Sequence, residues 1–429
     1  MVFTLFRTSV LAIALLPATV PALGSGFSDS TDTHVDSLRR VAASLHATGH
    51  YSQAVRVFLS VGADTGDARD RFGLGLSYAA LNNFTEANRF LRQAVQLDSA
   101  NVNYRFQFGR FLAQAGHIKG AQDQYERIIE LDSVYIPALS ALASIYNEAR
   151  SYEIAAALFQ RVLALNPRDY LSYYYLGNIL VALADQDSAQ TCLAASLSLN
   201  PNFVPAMNVL ASIYYVKKQY PEALALYQRA FSLRPGSPDF IHKAGLCYRQ
   251  LDDYEHAASS FAKAVELDTL NGTYYGNLGH ALFRVQKYDS SVFAYRKAIS
   301  LEPENPILYV NLALVLQKQD SVQRAAEAFR GAIRAYHPDE IARVYVQIGA
   351  LYYQRKNYRE ARNAYQAALG VDPNDRDAQF FLACAFHNLS DVASAIRNFQ
   401  KYLKLAQDDS TETNRREWAT TRLKHLQKK

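Results

Sequence analysis

The chain is poor in the residues that build covalent or metal-held frameworks. Three cysteines, Cys192, Cys247 and Cys384, are spread over 429 residues. Their number is odd and their spacing wide, which excludes a disulfide scaffold, and no CxxC pair offers a metal knuckle. Each falls in a helical pattern, as a small buried core residue does. Glycine and proline are also sparse, at 19 and 13, which excludes collagen-like and low-complexity classes. No apolar run outside the extreme N-terminus approaches the length of a membrane span. Charge of one sign is scarce too. The formal net charge is +5, and Arg415, Arg416, Arg422, Lys424, Lys428 and Lys429 against Glu412 and Glu417 place about +4 of it in the tail. The body is therefore near neutral and carries no electrostatic footprint for nucleic acid.

Catalytic signatures are missing as well. Gly73 and Gly75 in "RFGLGLSY" lack the third glycine and preceding strand of a phosphate loop. There is no HExxH, P-loop or GxSxG elbow. The ten histidines stand singly, without a second ligand at metal spacing. The expectation is no enzyme activity, no cofactor and no metal.

What is present begins with "MVFTLFRTSVLAIALLPATVPALGSG". Arg7, the apolar run Val10 to Leu16, Pro17 and small residues at Ala22 and Gly24 read as a signal peptide over 1–24, cleaved after Gly24. Residues 25–34 read as a polar linker. This predicts export to a bacterial periplasm or cell surface, with an uncleaved anchor as the alternative.

Beyond the linker the chain repeats itself. A small residue recurs at Ala54, Ala87, Ala121, Ala155, Ala189, Ala223, Ala257, Ser291, Ala325, Ala361 and Ala395. Twelve residues earlier stands a Gly or Ala each time, from Ala42 and Gly75 through Gly349 and Ala383. Four residues later stands a large one, from Phe58 and Leu91 through Tyr365 and Phe399. The step is 34 residues, except 33 at the first and 36 between Ala325 and Ala361, where "AYHPDE" carries two extra residues. Each unit holds two apolar stretches of helical period joined by a short polar turn. Small residues let the two helices approach, and the large one fills the space beside them. Pro167, Pro201, Pro235, Pro303 and Pro373 fit the turns between units. One such hairpin cannot bury its own apolar face, so the units must stack.

These columns resemble the tetratricopeptide repeat. Tyr173, Leu176, Gly177, Leu180, Ala189 and Pro201 show the pattern in one unit; Tyr275, Leu278, Gly279, Leu282, Tyr295, Ala298 and Pro303 show it in another. The resemblance covers residues 35–409 in eleven units, ending at 67, 101, 135, 169, 203, 237, 271, 305, 341, 375 and 409. Residues 410–429 read as a basic capping helix or tail. The first unit departs from the pattern at Val61 and Gly66, and Ser291 replaces Ala. The implied fold is all-α: a right-handed α-solenoid superhelix of helix hairpins.

The resemblance also implies a role. In such arrays the first helix of each unit lines the concave face and holds an extended peptide. Carried onto this sequence, that face includes Phe106, Arg110, Tyr174, Asn178, Asn208, Ser212, Tyr215, His242, Arg249, Asn277, His280, Asn311 and Gln347. Rings can cover a peptide's side chains while amides bond its backbone. The family's C-terminal carboxylate clamp is poorly matched, since Tyr174 stands where Lys is needed and Val209 where Asn is needed. Asn277, Asn311 and Gln347 resemble part of the asparagine ladder of longer arrays. The expected function is a non-enzymatic protein-interaction scaffold that serves a cell-envelope complex; the alternative is a regulatory or targeting subunit of a separate transferase or protease. The expected partner is a protein or peptide.

Overall fold

A computed structural model describes residues 30–64, 66–335, 338–406 and 412–427. The signal-peptide reading over 1–24 lies outside them. All regular structure among the described residues is helical, in twenty-three helices, and they divide into two compact units, 1–201 and 202–429.

Unit 1 holds five helix hairpins: α1 (Ser30–Ala47) with α2 (Tyr51–Ser60), α3 (Ala68–Ala80) with α4 (Phe84–Leu97), α5 (Val102–Gln114) with α6 (Ile118–Leu131), α7 (Ile136–Glu148) with α8 (Tyr152–Leu165), and α9 (Tyr170–Ala182) with α10 (Gln186–Leu199). Unit 2 continues the pattern. Its pairs are α11 (Val204–Val216) with α12 (Tyr220–Leu233), α13 (Pro238–Gln250) with α14 (Tyr254–Leu267), and α15 (Gly272–Arg284) with α16 (Tyr288–Leu301). Then come α17 (Pro306–Lys318) with α18 (Val322–Ala335), α19 (Pro338–Gln354) with α20 (Tyr358–Val371), and α21 (Arg376–Asn388) with α22 (Val392–Leu405). A last helix, α23 (Thr413–Leu426), packs on α22 and buries Ala419 and Leu426. α1 opens at Ser30, inside the stretch read from sequence as a polar linker. The extra residues near 337 go with a longer first helix, since α19 has 17 residues where the other first helices of unit 2 have 13.

The three sequence columns meet inside each hairpin. All eleven members of the recurring small column are 0% exposed. The large residue four positions later lies across from the Gly or Ala of the first helix. A Cβ added at Gly245 would stand 2.7 Å from the Phe261 ring, and one at Gly349 only 2.4 Å from Tyr365. Glycine there sets the spacing between the two helices. Ser291 takes an alanine position because its hydroxyl donates to the Gly279 carbonyl at 2.7 Å, so the buried oxygen is satisfied.

The turn inside each hairpin follows one geometry. A single residue with positive φ falls at Gly49, Asn82, Gly116, Arg150, Ala184, Lys218, Asp252, Gln286, Asp320, Lys356 and Ser390. After α9, for example, Ala184 has φ 62°, and the Asp185 N–H donates back to the Leu180 carbonyl at 2.9 Å. Asp185 then caps α10 by accepting from the Ser188 N–H. This left-handed closure satisfies the last carbonyls of one helix and starts the next within three residues.

Two substitutions test this geometry by thermal melting. Gly349→Ala should destabilise the protein by about 1–3 kcal/mol through overpacking against Tyr365. Ala184→Gly should stabilise it by about 1 kcal/mol, because glycine adopts the left-handed conformation without a Cβ clash. A raised melting temperature for Gly349→Ala would show that the helices are not held at contact distance there.

A candidate recognition face on the first helices

Every residue expected on the lining face lies on a first helix, and the structure joins many of them to one another. In unit 1, Asn178 donates its side-chain amide to the Tyr174 backbone carbonyl at 2.9 Å. The Tyr174 ring is half-buried and lies 5.4 Å from that of Tyr175, whose ring stacks on Phe159 at 5.5 Å. Tyr173 packs into the core cluster around Ala143, Phe159 and Leu176. Phe106 is engaged by the Tyr125 and Tyr135 rings, and Arg110 donates to Gln107.

In unit 2 the first helices are linked by side-chain hydrogen bonds. Lys243 on α13 donates to Asn208 Oδ1 on α11 at 2.9 Å, and Gln250 donates to the Tyr215 hydroxyl at 3.2 Å. Asn277 on α15 reaches back to α13 with both ends of its amide. Its Oδ1 accepts from Arg249 at 2.7 Å, and its Nδ2 lies 2.9 Å from His242 Nε2. Further on, Gln317 bonds Gln354 at 3.0 Å and Asn388 donates to Tyr353 at 2.9 Å. Ser212 contacts the Tyr227 hydroxyl and donates to its own helix at Asn208 O. Lys243, Gln250, Gln317 and Asn388 were not among the sequence candidates. The signal that marks the rungs is an offset of 35 residues, one more than the period. It links 208 to 243, 215 to 250, 242 to 277 and 353 to 388.

The same offset explains which amides are left over. The counterpart of Asn311 is Gly276, which has no side chain, and the insertion makes Val310 the counterpart of Gln347. Gln347 Oε1 is accordingly buried without a partner. The Asn311 side chain has no hydrogen bond among the described residues, and no side-chain hydrogen bond among them joins α15 to α17. Of the expected amides, Asn208 and Asn277 join neighbouring helices, Asn178 bonds its own helix, and Asn311 and Gln347 do neither.

The direction of the Arg249–Asn277–His242 chain fixes a protonation state. A guanidinium only donates, so the Asn277 oxygen faces Arg249 and its NH2 faces His242. Nε2 of His242 must then accept, and the ring is neutral. Burial lowers the His242 pKa to about 4, with the Asp239 charge opposing and Arg249 and Lys243 assisting. Its ring centroid lies 4.6 Å from that of Tyr274 and 5.4 Å from that of Phe261. His280 is shifted downward too, first by burial and then by Arg249 and Arg284, and its Nδ1 is buried without a partner. Burial pushes the Cys247 and Cys384 thiols up to about 12, which keeps them protonated and unreactive. Cys192 is half-buried rather than enclosed. Among the described residues no His, Cys, Asp and Glu cluster could hold a metal ion, and no helix is long and apolar enough to cross a membrane.

Family models described as tetratricopeptide repeat match residues 71–101, 158–191, 176–238, 238–269 and 346–410, and a TPR repeat model matches 279–320. Together these cover more than half of the chain. It is a tetratricopeptide-repeat protein. Among curated proteins, this TPR chain is 24% identical over 157 residues to the BBSome complex member BBS4 of Bos taurus. That stretch is 36% of this chain and 30% of the relative's length. Among solved structures, the C-terminal part of a TPR repeat-containing protein from Cytophaga hutchinsonii shares the fold. Its TM-score is 0.50 at 17% identity, over 56% of this chain and 99% of that one. YrrB, a TPR protein with an unusual peptide-binding site, matches at TM-score 0.39 and 22% identity, over 42% of this chain and 92% of that one.

The neutral state of His242 has a pH signature. The unfolded chain takes up a proton near 6.5, whereas the folded one does so only near 4. Stability should therefore fall as pH drops through that window. His242→Gln should remove part of the decline in denaturant midpoints measured from pH 7 to pH 4. An unchanged slope would mean that His242 is not one of the groups responsible.

Proposed function

We propose that the protein is a scaffold that holds an extended segment of a partner protein along its first helices, in the assembly or maintenance of a cell-envelope complex. The observation that carries this reading is the first-helix face itself. In unit 2 its side chains are tied across successive hairpins, yet Asn311 and Arg249 keep bonding capacity; in unit 1 the Tyr174 ring is half-exposed. A linked face is already ordered, so binding loses less side-chain entropy there than on an untied surface. An extended peptide is suited to such a face because its side chains and backbone can meet successive helices in turn.

The family supports protein binding in general. BBS4 is a BBSome complex member by its own description, and membership of a complex is what a scaffold of this kind would have. The envelope setting rests on the leader-like residues 1–24, with export to a bacterial periplasm or surface as the proposed location. The near-neutral body favours a polypeptide partner over nucleic acid.

Site-specific photo-cross-linking in an envelope extract tests the reading. A photoactive side chain placed at Tyr174 or Asn311 should capture a partner polypeptide. One placed on the second helices at Ile154 or Phe293, which are 48% and 61% exposed, should not. Tyr174→Ala should weaken binding of the captured segment by about tenfold. Capture confined to Ile154 and Phe293 would move the binding surface to the opposite helices.

A further inference from the structure

The first helices of the early half of unit 2 carry an uneven set of charges. Across α11, α13, α15 and α17 the cations are Lys243, Arg249, Arg284 and Lys318, and the single carboxylate is Asp239. Asp239 is taken by Lys243, at 2.8 Å. Arg284 donates to the Tyr254 hydroxyl and lies over that ring at 4.0 Å. Arg249 is half-buried and donates to a neutral amide, Asn277, with no carboxylate in ion-pair range among the described residues.

A guanidinium in that position is unusual, because a partly desolvated cation is ordinarily paired. The groups around it do not supply the missing charge. They are His242 and Asn277 along the hydrogen-bonded chain, and His280, Tyr254 and Tyr295, on each of which its charge acts. All are neutral. Asp252, the nearby carboxylate that also acts on Tyr254, accepts that residue's hydroxyl at 2.8 Å. Arg249 uses one N–H on Asn277, and a guanidinium has five in a fork that matches a carboxylate.

We propose that Arg249 seats the carboxylate of an aspartate or glutamate side chain on an extended peptide running along the first helices of unit 2. This rests on the peptide-holding reading above and adds the chemistry that the held segment must carry. The seat lies within the unit: α11 precedes it, and α17, α19 and α21 follow. The peptide can therefore continue in both directions, so the carboxylate is a side chain and not a chain end. Directly beyond α15 the ladder is interrupted at Gly276, and Asn311 on α17 offers both ends of its amide to the peptide backbone.

The test uses the full chain and a library of twelve-residue peptides, acetylated and amidated so that no terminal charge remains. Bound peptides should be enriched in Asp or Glu at one internal position. Replacing that residue by Asn or Gln should weaken binding at least about tenfold. Arg249→Gln should abolish the discrimination between acid and amide while leaving preferences at other positions. Arg249→Lys, which keeps the charge without the fork, should retain part of it. Helicity by circular dichroism identifies a variant that fails to fold, and the Lys variant then carries the comparison. Binding without acidic preference, a preference unchanged in Arg249→Gln, or a requirement for a free C-terminus would each overturn the carboxylate seat while leaving peptide holding intact. Absence of any library binding, together with no first-helix cross-link, would overturn both.

Discussion

The contact on which each hairpin depends is the approach of its two helices at a Gly or Ala facing a large side chain. Interiors are packed at crystal-like density, so one misplaced carbon is felt. The geometry at Gly349 leaves no room for one: the Tyr365 ring occupies the place a Cβ would take. Because this contact recurs at one period, the hairpins in each unit share a geometry. Neighbours can then stack through the clusters that bury residues such as Leu312, Phe329 and Ile348. The exposed positions of the first helices take no part in that packing, and selection could fill them for recognition.

A fixed hairpin geometry brings a fixed offset between neighbours, and the polar rungs of unit 2 follow from it. Side-chain hydrogen bonds contribute modestly to net stability, but a linked set restricts which register two neighbouring hairpins can adopt. A comparable device joins the first two hairpins, where Arg39 on α1 forks onto Asp70 on α3, a carboxylate 1% exposed. Removing Arg39 would strand the buried Asp70 carboxylate, so the pair holds α3 against α1.

The sequence made the packing legible and left the linkages obscure. The columns at Ala257, Gly245 and Phe261 could be read because apolar packing imposes residue size at each turn of the period. The left-handed turn residue was not legible. Only Gly49 and Gly116 carry the glycine that would announce it, while Arg150, Ala184 and Lys218 adopt the same φ under the pull of the flanking helices. The rungs escaped for another reason. Their partners are of mixed type, Lys with Asn, Gln with Tyr, His with Asn, and they follow 35 residues rather than the period. Nor did anything in the pattern mark a division between residues 201 and 202. Of the tyrosines in "RDYLSYYYLGNIL", Tyr173 and Tyr175 are used in packing and Tyr174 keeps a half-exposed ring.

If the first helices of unit 2 hold a peptide as proposed, their mutual linking has a consequence for what they can recognise. Asn208, Asn277 and Ser212 already bond other groups of the stack, so they have less capacity for a peptide backbone than free amides and hydroxyls would. Under the proposed role, discrimination among partners would then come from the half-exposed ring surface of Tyr174, the orphaned amide of Asn311, and the Arg249 guanidinium, which pairs with no carboxylate among the described residues. Of these, the ring accepts many apolar side chains and the amide accepts any backbone. The guanidinium alone distinguishes one chemical class, because it gains from a carboxylate and is repelled by Lys or Arg. Under the proposed peptide-holding role, specificity would therefore follow from charge at Arg249, set within a face where Asn208 and Asn277 bond neighbouring helices.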